Sequence, residues 1–342
     1  MRPEPAPRRG PATPRPGEPV AVAPGIFWLR FPLPFALDHV NLFALEDGDA
    51  WTIVDTGFGD ATSKALWGAL LDGPLRGRPV RRLVVTHFHP DHVGLAGWLA
   101  ARTGAELLMT ETEWLVARYL VVEDPAAALD NALAFYRAAG VEVAQLATLR
   151  ADGHVFPRRV SPPPLSFTPL VPGGGLRIGG RDFEVVVGEG HSPAQVALWC
   201  AADDLLLAAD QILPRISPNV PVWPQAPGAD PLARFTSSLE QLRRLPASTL
   251  VLPAHDWPFD DLHGRIDALL AFHDHRLEAT REAAAGGATA FEVMGALFAR
   301  IDDVHQLRFA LGETLAHLNR LVAAGTLARA TESGVWRFAA AR

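Results

Sequence analysis

Thr86-His87-Phe88-His89-Pro90-Asp91-His92 is the most informative segment of this 342-residue chain. It places four side chains that can bind a metal within six residues, directly after the apolar run Leu83-Val84-Val85. Alternate side chains of an extended backbone point to the same side, so His87 and His89 are expected to face one ion. The turn that follows lets the last two side chains of the segment face a second ion. Imidazole and carboxylate ligands suit Zn²⁺, and also Fe or Mn.

Three later apolar runs are each followed by a residue that can bind a metal: 185–187 by His191, 205–207 by Asp210, and 249–252 by His255. Ligand sites of layered α/β folds gather at the ends of strands. A single histidine after a strand is weak evidence, because most such residues make ordinary loop hydrogen bonds. Together with the segment 86–92, the three residues form one set of candidate metal ligands.

The order of the predicted elements indicates an α/β layer architecture. Strands are predicted over 25–31, 41–46, 51–55, 82–86 and 106–109, with helices over 61–71 and 94–102. A second block resembles the first in the order of its elements, with strands at 176–178, 183–187, 196–200, 205–207 and 249–252 and a helix over 231–245. Between the blocks, 111–172 is predicted to be a helical insertion that covers part of the active-site face, since long segments of this kind are usually lids or binding loops.

The two ends of the chain differ from the middle. Residues 1–24 hold eight prolines and four arginines, a composition that predicts a disordered tail. The main domain is expected to span 25–282. Residues 283–342 contain two helical patterns, 290–300 and 305–324, followed by a β-hairpin around Ser333-Gly334, which resembles a winged helix.

Composition narrows the class of protein. The net charge is -7, so the chain has no overall positive field to attract phosphate backbones. Cys200 is the only cysteine, which excludes an intramolecular disulfide and fits a reducing cytoplasm. There is no run of eighteen apolar residues, so neither a membrane span nor a membrane partner is expected. These features favour a cytoplasmic enzyme.

The motif Thr-His-x-His-x-Asp-His, followed in order by His191, Asp210 and His255, resembles the metallo-β-lactamase-fold hydrolases. The resemblance implies an αββα sandwich with its site along one edge of the paired sheets. It also implies two divalent metal ions per chain, Zn²⁺ before Fe or Mn. The first would be held by His87, His89 and His191, the second by Asp91, His92 and His255, and Asp210 would bridge both.

Two further roles follow from the same resemblance. Asp91 would relay a proton to the leaving group as well as bind a metal. Val54-Asp55-Thr56-Gly57 is similar to an early strand motif of the family, which implies that Asp55 orders the ligand imidazoles by hydrogen bonds. The alternative for Asp55 is that it caps a turn before Gly57.

Two functions remain open at this level. The aspartate at position 210 resembles the bridging aspartate of glyoxalase II-like thioesterases, lactonases and nuclease relatives. The resemblance implies that a metal-bridging hydroxide would attack a small ester, thioester or lactone. The segments 191–195 and 210–219, with the C-terminal helices and hairpin, resemble bacterial hydrolases related to the lactamase-beta-2-like endoribonuclease, which cleaves single-stranded RNA. Residues 285–342 carry six Arg against five Asp and Glu, too even a balance for a phosphate-binding face. We therefore favour a small-molecule substrate over nucleic acid, and a homodimer stays open.

Some side chains outside the motif have two interpretations. The apolar positions Leu120, Leu133, Phe135 and Tyr136 of the insertion either wall a substrate pocket or are buried against the fold. His273 and His275 are two apart in a helical stretch, so they point to different faces and favour a surface or domain-contact role. Arg215 either binds an anionic group or braces its loop.

Overall fold

Two β-sheets form the frame of the protein in the computed structural model, which describes residues 3–341. The first sheet has seven strands in the order of the chain: β1 (Val20–Ala23), β2 (Ile26–Pro32), β3 (His39–Asp47), β4 (Ala50–Val54), β5 (Val80–Val84), β6 (Glu106–Met109) and β7 (Thr168–Pro169). Pairing is antiparallel from β1 to β4 and parallel from β4 to β7.

The second sheet has five strands in the order β12-β11-β10-β9-β8. They are β8 (Gly175–Ile178), β9 (Arg181–Gly188), β10 (Gln195–Cys200), β11 (Leu205–Ala209) and β12 (Leu250–Pro253). It repeats the plan of the first sheet, because β8 to β11 pair antiparallel and β11 pairs with β12 in parallel. A two-stranded hairpin, β13 (Leu327–Glu332) and β14 (Val335–Ala340), lies near the C-terminus.

Eleven helices are described in residues 3–341. They are α1 (Ala61–Asp72), α2 (Pro90–Val93), α3 (Ala96–Thr103), α4 (Glu111–Val122), α5 (Pro125–Ala138), α6 (Val143–Asp152), α7 (Phe156–Arg159), α8 (Pro231–Leu242), α9 (Leu262–Ala284), α10 (Ala290–Leu297) and α11 (Val304–Ala323). Several begin at a side chain that accepts a bond from the first turn, as Asp60 does for α1 and Asp230 for α8. None is long and apolar enough to cross a membrane.

The sheets pack face to face, and helices cover their outer faces. Trp28 and Phe43 of the first sheet share one apolar cluster with Phe183 and Leu198 of the second. The outer face of the first sheet packs on α1 and α3, and that of the second packs on α8 and α9. Strands covered on both faces are apolar at every position, which explains runs such as 205–207. The predicted α/β sandwich is confirmed.

The N-terminal segment differs from the prediction of a disordered tail. Ala6 is buried, its N–H donates to the Pro214 carbonyl at 2.7 Å, and the Arg9 N–H donates to the Pro258 carbonyl at 2.8 Å. Residues 20–23 form β1. A proline-rich segment buries little apolar surface of its own, but here its backbone pairs with loops of the main domain. Residues 1 and 2 lie outside the described part of the chain.

The C-terminal region packs against the insertion. Leu133, Phe135 and Tyr136 of α5 are buried in the same cluster as Leu311 of α11 and Phe338 of β14. The Phe135 ring lies edge-on to the Trp336 ring with the centroids 5.8 Å apart, which is a favourable geometry for an aromatic pair. The pocket interpretation of Phe135 and Tyr136 is therefore wrong, because these rings fill a core. Two helices followed by a hairpin are present as predicted, whereas the winged-helix classification stays a prediction.

Candidate metal centre

The candidate ligands follow four strand ends at one edge of the sandwich. His87 comes after β5, His191 after β9, Asp210 after β11 and His255 after β12. The parallel pair β11–β12 brings Asp210 and His255 together, and the parallel pair β4–β5 brings Asp55 next to the segment of His87. Because the sheets are stacked, side chains that are 168 positions apart in sequence, from His87 to His255, meet at this edge.

Two groups of side chains lie within metal-binding distance of each other. In each, one ligand atom per residue lies within 4.8 Å of the others; the groups are His87, His89, His191 and Asp210, and Asp91, His92 and His255. The six other residues divide as the resemblance predicted, while Asp210, which was predicted to bridge both ions, falls in the first group. The structure thus brings all seven residues together, and their assignment as metal ligands stays a prediction.

Asp210 lies between the two groups. Its Oδ2 is 3.2 Å from His191 Nε2 and 3.5 Å from His92 Nε2, and its Oδ1 is 3.3 Å from His255 Nε2. One carboxylate therefore faces both groups, as a bridging ligand must. Asp91 joins the second group, because its Oδ2 is 3.6 Å from Nε2 of both His92 and His255.

Three imidazoles are oriented by hydrogen-bond partners at Nδ1, on the side of the ring away from the cluster, and two of these partners are backbone carbonyls. Nδ1 of His191 lies 2.7 Å from the Asn219 carbonyl, and Nδ1 of His255 lies 2.8 Å from the His39 carbonyl. A carbonyl oxygen can only accept, so each Nδ1 carries the proton and each Nε2 presents its lone pair to the cluster. Partners of this kind fix the tautomer and the ring orientation of metal-binding histidines.

Asp55 orients the third imidazole, as the strand motif predicted. Its Oδ2 lies 2.8 Å from His92 Nδ1 and accepts from the Thr86 hydroxyl at 2.9 Å. Its Oδ1 accepts from the Thr86 N–H at 2.8 Å. The residue has φ 62°, in the left-handed region that aspartate tolerates better than most residues. Asp55 joins the end of β4 to the histidine segment, and the turn-cap interpretation is wrong.

The protonation of the cluster follows from burial and charge. Burial lowers the pKa of His87 and His89 well below 6.5, and the neighbouring imidazoles lower it further. Burial also opposes the charge on His92, but nearby carboxylates, Asp91 first, outweigh burial and raise the pKa of His92 well above 6.5. His87 and His89 are therefore neutral, which is the form that binds metals.

Two buried atoms show that the cluster fits a cation. Within residues 3–341, His92 Nε2 and Asp210 Oδ1 have no hydrogen-bond partner. A buried polar atom without a partner costs about 1–3 kcal/mol. Imidazole nitrogens and carboxylate oxygens converge here, and that donor set suits divalent metal ions such as Zn²⁺, Fe or Mn.

Glu113 of α4 is a positioning residue that the sequence analysis missed. It is fully buried, its Oε2 accepts from the Phe88 N–H at 2.9 Å, and its Oε1 accepts from Ser192 Oγ at 2.8 Å and from the Ala194 N–H at 2.6 Å. One carboxylate thus ties the loop of His87 to the loop of His191. Burial raises the pKa of Glu113, and these three bonds oppose the rise. In the sequence it is one acid in the first turn of a helix, where acids are common.

Other residues with two interpretations lie away from the cluster. His273 is buried, and its Nδ1 is 3.2 Å from Nε2 of His317 in α11, so its predicted domain-contact role is confirmed. Arg215 pairs with Asp256 at 2.8 Å, so it braces its loop.

Two family models match two successive parts of the chain. Residues 36–255 match the family described as the Metallo-beta-lactamase superfamily, and residues 277–341 match the Metallo-beta-lactamase-like, C-terminal domain. No match was found among curated proteins.

Solved structures resemble the whole chain. A beta-lactamase domain protein from Burkholderia ambifaria is 40% identical with a TM-score of 0.89, and the match covers 96% of each chain. A metallo-beta-lactamase family protein from Thermus thermophilus is 30% identical with a TM-score of 0.80, covering 94% of this chain and 100% of that one. Matches that cover 96% and 94% of this chain extend well beyond residues 36–255 into the C-terminal region, which is therefore part of a shared architecture.

Proposed function

The chain belongs to the metallo-beta-lactamase superfamily and is a metal-dependent hydrolase, and from this premise we propose that it hydrolyses a small ester, thioester or lactone at a site for two divalent metal ions. The observation that carries the proposal is the pair of ligand groups joined by the carboxylate of Asp210. Seven ligands exceed the four that a single tetrahedral ion takes.

The residues of the cluster fit two ions. His87, His89 and His191 would hold the first, Asp91, His92 and His255 the second, and Asp210 both. When bound, two such ions supply a hydroxide nucleophile at neutral pH and polarise the substrate oxygen. The protein contributes rigid donors, because hydrogen bonds from behind hold three of the imidazoles before any ion arrives.

Asp91 is the residue we propose for proton transfer. Its side chain is 21% exposed, whereas that of Asp210 is 8% exposed, so Asp91 is the ligand carboxylate that solvent and substrate reach. Its Oδ2 faces His92 and His255, which leaves Oδ1 to take up a proton and pass it to the leaving group.

The alternative function is a single-strand endoribonuclease of the lactamase-beta-2-like type. The hairpin that would grip RNA offers Arg329 and Arg337. Arg329 lies over the Trp336 ring and reaches the Pro227 carbonyl, and Arg337 pairs with Glu332 at 3.2 Å. Both cations are engaged within the protein, which favours the small-molecule substrate.

A hydrolysis panel on metal-loaded protein tests the proposal. It contains aryl esters, acyl thioesters, lactones, a cephalosporin and single-stranded RNA, each with and without a chelator. We expect chelator-sensitive cleavage of at least one ester, thioester or lactone, and Asp91→Asn to lower its kcat more than its metal content. Cleavage of RNA alone, or cleavage that persists without metal, would refute the proposal.

A further inference from the structure

The ligand cluster opens to solvent on one side. His89 and Asp91 are half-buried, whereas the other five candidate ligands are buried. A substrate must therefore approach over His89 and Asp91. The residues around this opening belong to four separate segments of the chain, and two of these segments come from outside the sandwich.

Trp223 borders the opening beside His89. Its ring centroid is 6.0 Å from the His89 ring and 5.7 Å from the buried Phe88 ring, yet 40% of the residue is exposed. The Val222 N–H donates to the Gly312 carbonyl of α11 at 3.1 Å. The C-terminal helix therefore holds the loop that carries this indole.

A second border is built from Phe35 and the first turns of α11. The Phe35 and His305 rings stack with centroids 4.6 Å apart and planes 15° apart, and the Phe309 ring lies 4.4 Å from His305. Phe309 is 44% exposed. The Phe156 ring of α7, the helix that ends at Arg159, lies 6.2 Å between centroids from the Phe88 ring, and Phe88 stands between the candidate ligands His87 and His89.

Arg159, at the end of α7, adds a cation to this border. Its guanidinium carbon is 5.2 Å from the centre of the Phe35 ring, and the side chain is half-buried. In the described residues 3–341 it forms no ion pair and no side-chain hydrogen bond, whereas its neighbour Arg158 bonds to Asp152. A partly desolvated guanidinium with free donors is suited to bind an anion.

We name these five residues the mouth: Phe35, Arg159, Trp223, His305 and Phe309. We propose that the mouth receives the part of the substrate that carries an aromatic or other flat apolar group together with an anion, and that Arg159 binds the anion. This inference rests on the proposed function, because it names the substrate class of the same site. Exposed ring faces supply apolar area, and the unpaired guanidinium supplies the charge.

A pair of ligands that differ only in charge tests the mouth without relying on catalysis. Naphthalene-2-sulfonate carries an aromatic ring and an anion, and naphthalene-2-methanol carries the same ring without the charge. Calorimetric titration of the metal-loaded full chain should show the sulfonate binding about 10-fold more tightly or better. Arg159→Gln should remove that preference, Arg159→Lys should keep most of it, and Phe309→Ala should weaken both ligands.

Arg158→Gln is the matched control, one residue away in the same helix, and should leave the preference unchanged. Equal binding of the two ligands by the unaltered protein, or a preference that survives Arg159→Gln, overturns the proposal. The hydrolysis panel is read separately: if no ester, thioester or lactone is cleaved while the charge preference is present, the proposed function fails and the anion-binding mouth stands.

Discussion

Asp55→Asn should distinguish the two proposed metal sites, because we expect it to weaken only one of them. Asparagine keeps the size of the side chain and tolerates the positive φ of this position. Its Oδ1 still accepts from the Thr86 N–H, but an NH₂ group replaces the oxygen that lies 2.8 Å from His92 Nδ1. Two donors then face each other, and His92 loses the bond that aims its Nε2 at Asp91 and Asp210.

The size of the effect follows from that single bond. A hydrogen bond to a charged group contributes about 1.5–3 kcal/mol, which corresponds to about 10–100-fold in affinity. The same range is typical when the hydrogen-bond partner of a metal-binding histidine is replaced. We therefore expect the second ion, held by Asp91, His92 and His255, to bind about 10–100-fold more weakly, while the affinity for the first changes by less than about 3-fold.

Competition with a chromophoric chelator measures both binding events in one titration. Asp49→Asn is the control, since it makes the same chemical change in an exposed turn where the side chain is 86% exposed. Unchanged affinity for the second ion would refute the orienting role of Asp55. Equal loss at both sites would refute the division of the ligands into two groups.

Three further predictions follow from the same contacts. Asp210→Ala should lose both ions and hydrolysis together, because one carboxylate faces both groups; elemental analysis that still finds two ions per chain would show that it is not the bridge. Glu113→Gln should weaken metal binding by about 10-fold while the protein stays folded, because one of the three donors to this side chain then meets an amide N–H. Glu111→Gln, in the exposed first turn of the same helix, should leave metal affinity unchanged, and equal affinities in the two variants would contradict the positioning role. Burial lowers the pKa of His273 to about 3 and that of His317 to about 4, so above pH 6.5 both are neutral in the folded and the unfolded chain. Below pH 6.5 only the unfolded chain takes up protons at these positions, so each histidine should lower the free energy of unfolding by about 1.4 kcal/mol per pH unit. Urea unfolding at pH 7 and 5.5 should therefore show a smaller pH effect in His273→Gln/His317→Gln than in the unaltered protein, and an unchanged pH effect would contradict the buried pair.

Regular patterns made most of the sandwich predictable. Strands covered on both faces are continuous apolar runs, and α11 has an apolar stripe at helical spacing. By contrast, α9 was not predicted as a continuous helix from 262 to 284. Its buried positions include Arg265, His273 and Thr280. These polar side chains can be buried because hydrogen bonds inside the fold satisfy them, and they interrupt the apolar pattern by which a helix is predicted.

The candidate ligands and the fold class could be predicted from the sequence. The histidines and aspartates stand directly after apolar runs, and both features are local, so they can be read along the chain. Which nitrogen of His191 and His255 faces the cluster depends on the tertiary structure, because each Nδ1 is held by a backbone carbonyl from a distant segment, Asn219 and His39 respectively. Every residue has a carbonyl, so residue type carries no sign of this contact.

The mouth was equally out of reach of the sequence. Phe35 and His305 stack although they are 270 positions apart in the chain, and Trp223 is placed by a backbone bond to α11. The insertion and the C-terminal helices share one buried cluster, which contains Phe135 and Leu311. Such contacts depend on how whole layers stack. Neither hydrophobic period nor motif spacing records that arrangement, so the chemistry of the metal centre could be predicted while the shape of its entrance could not.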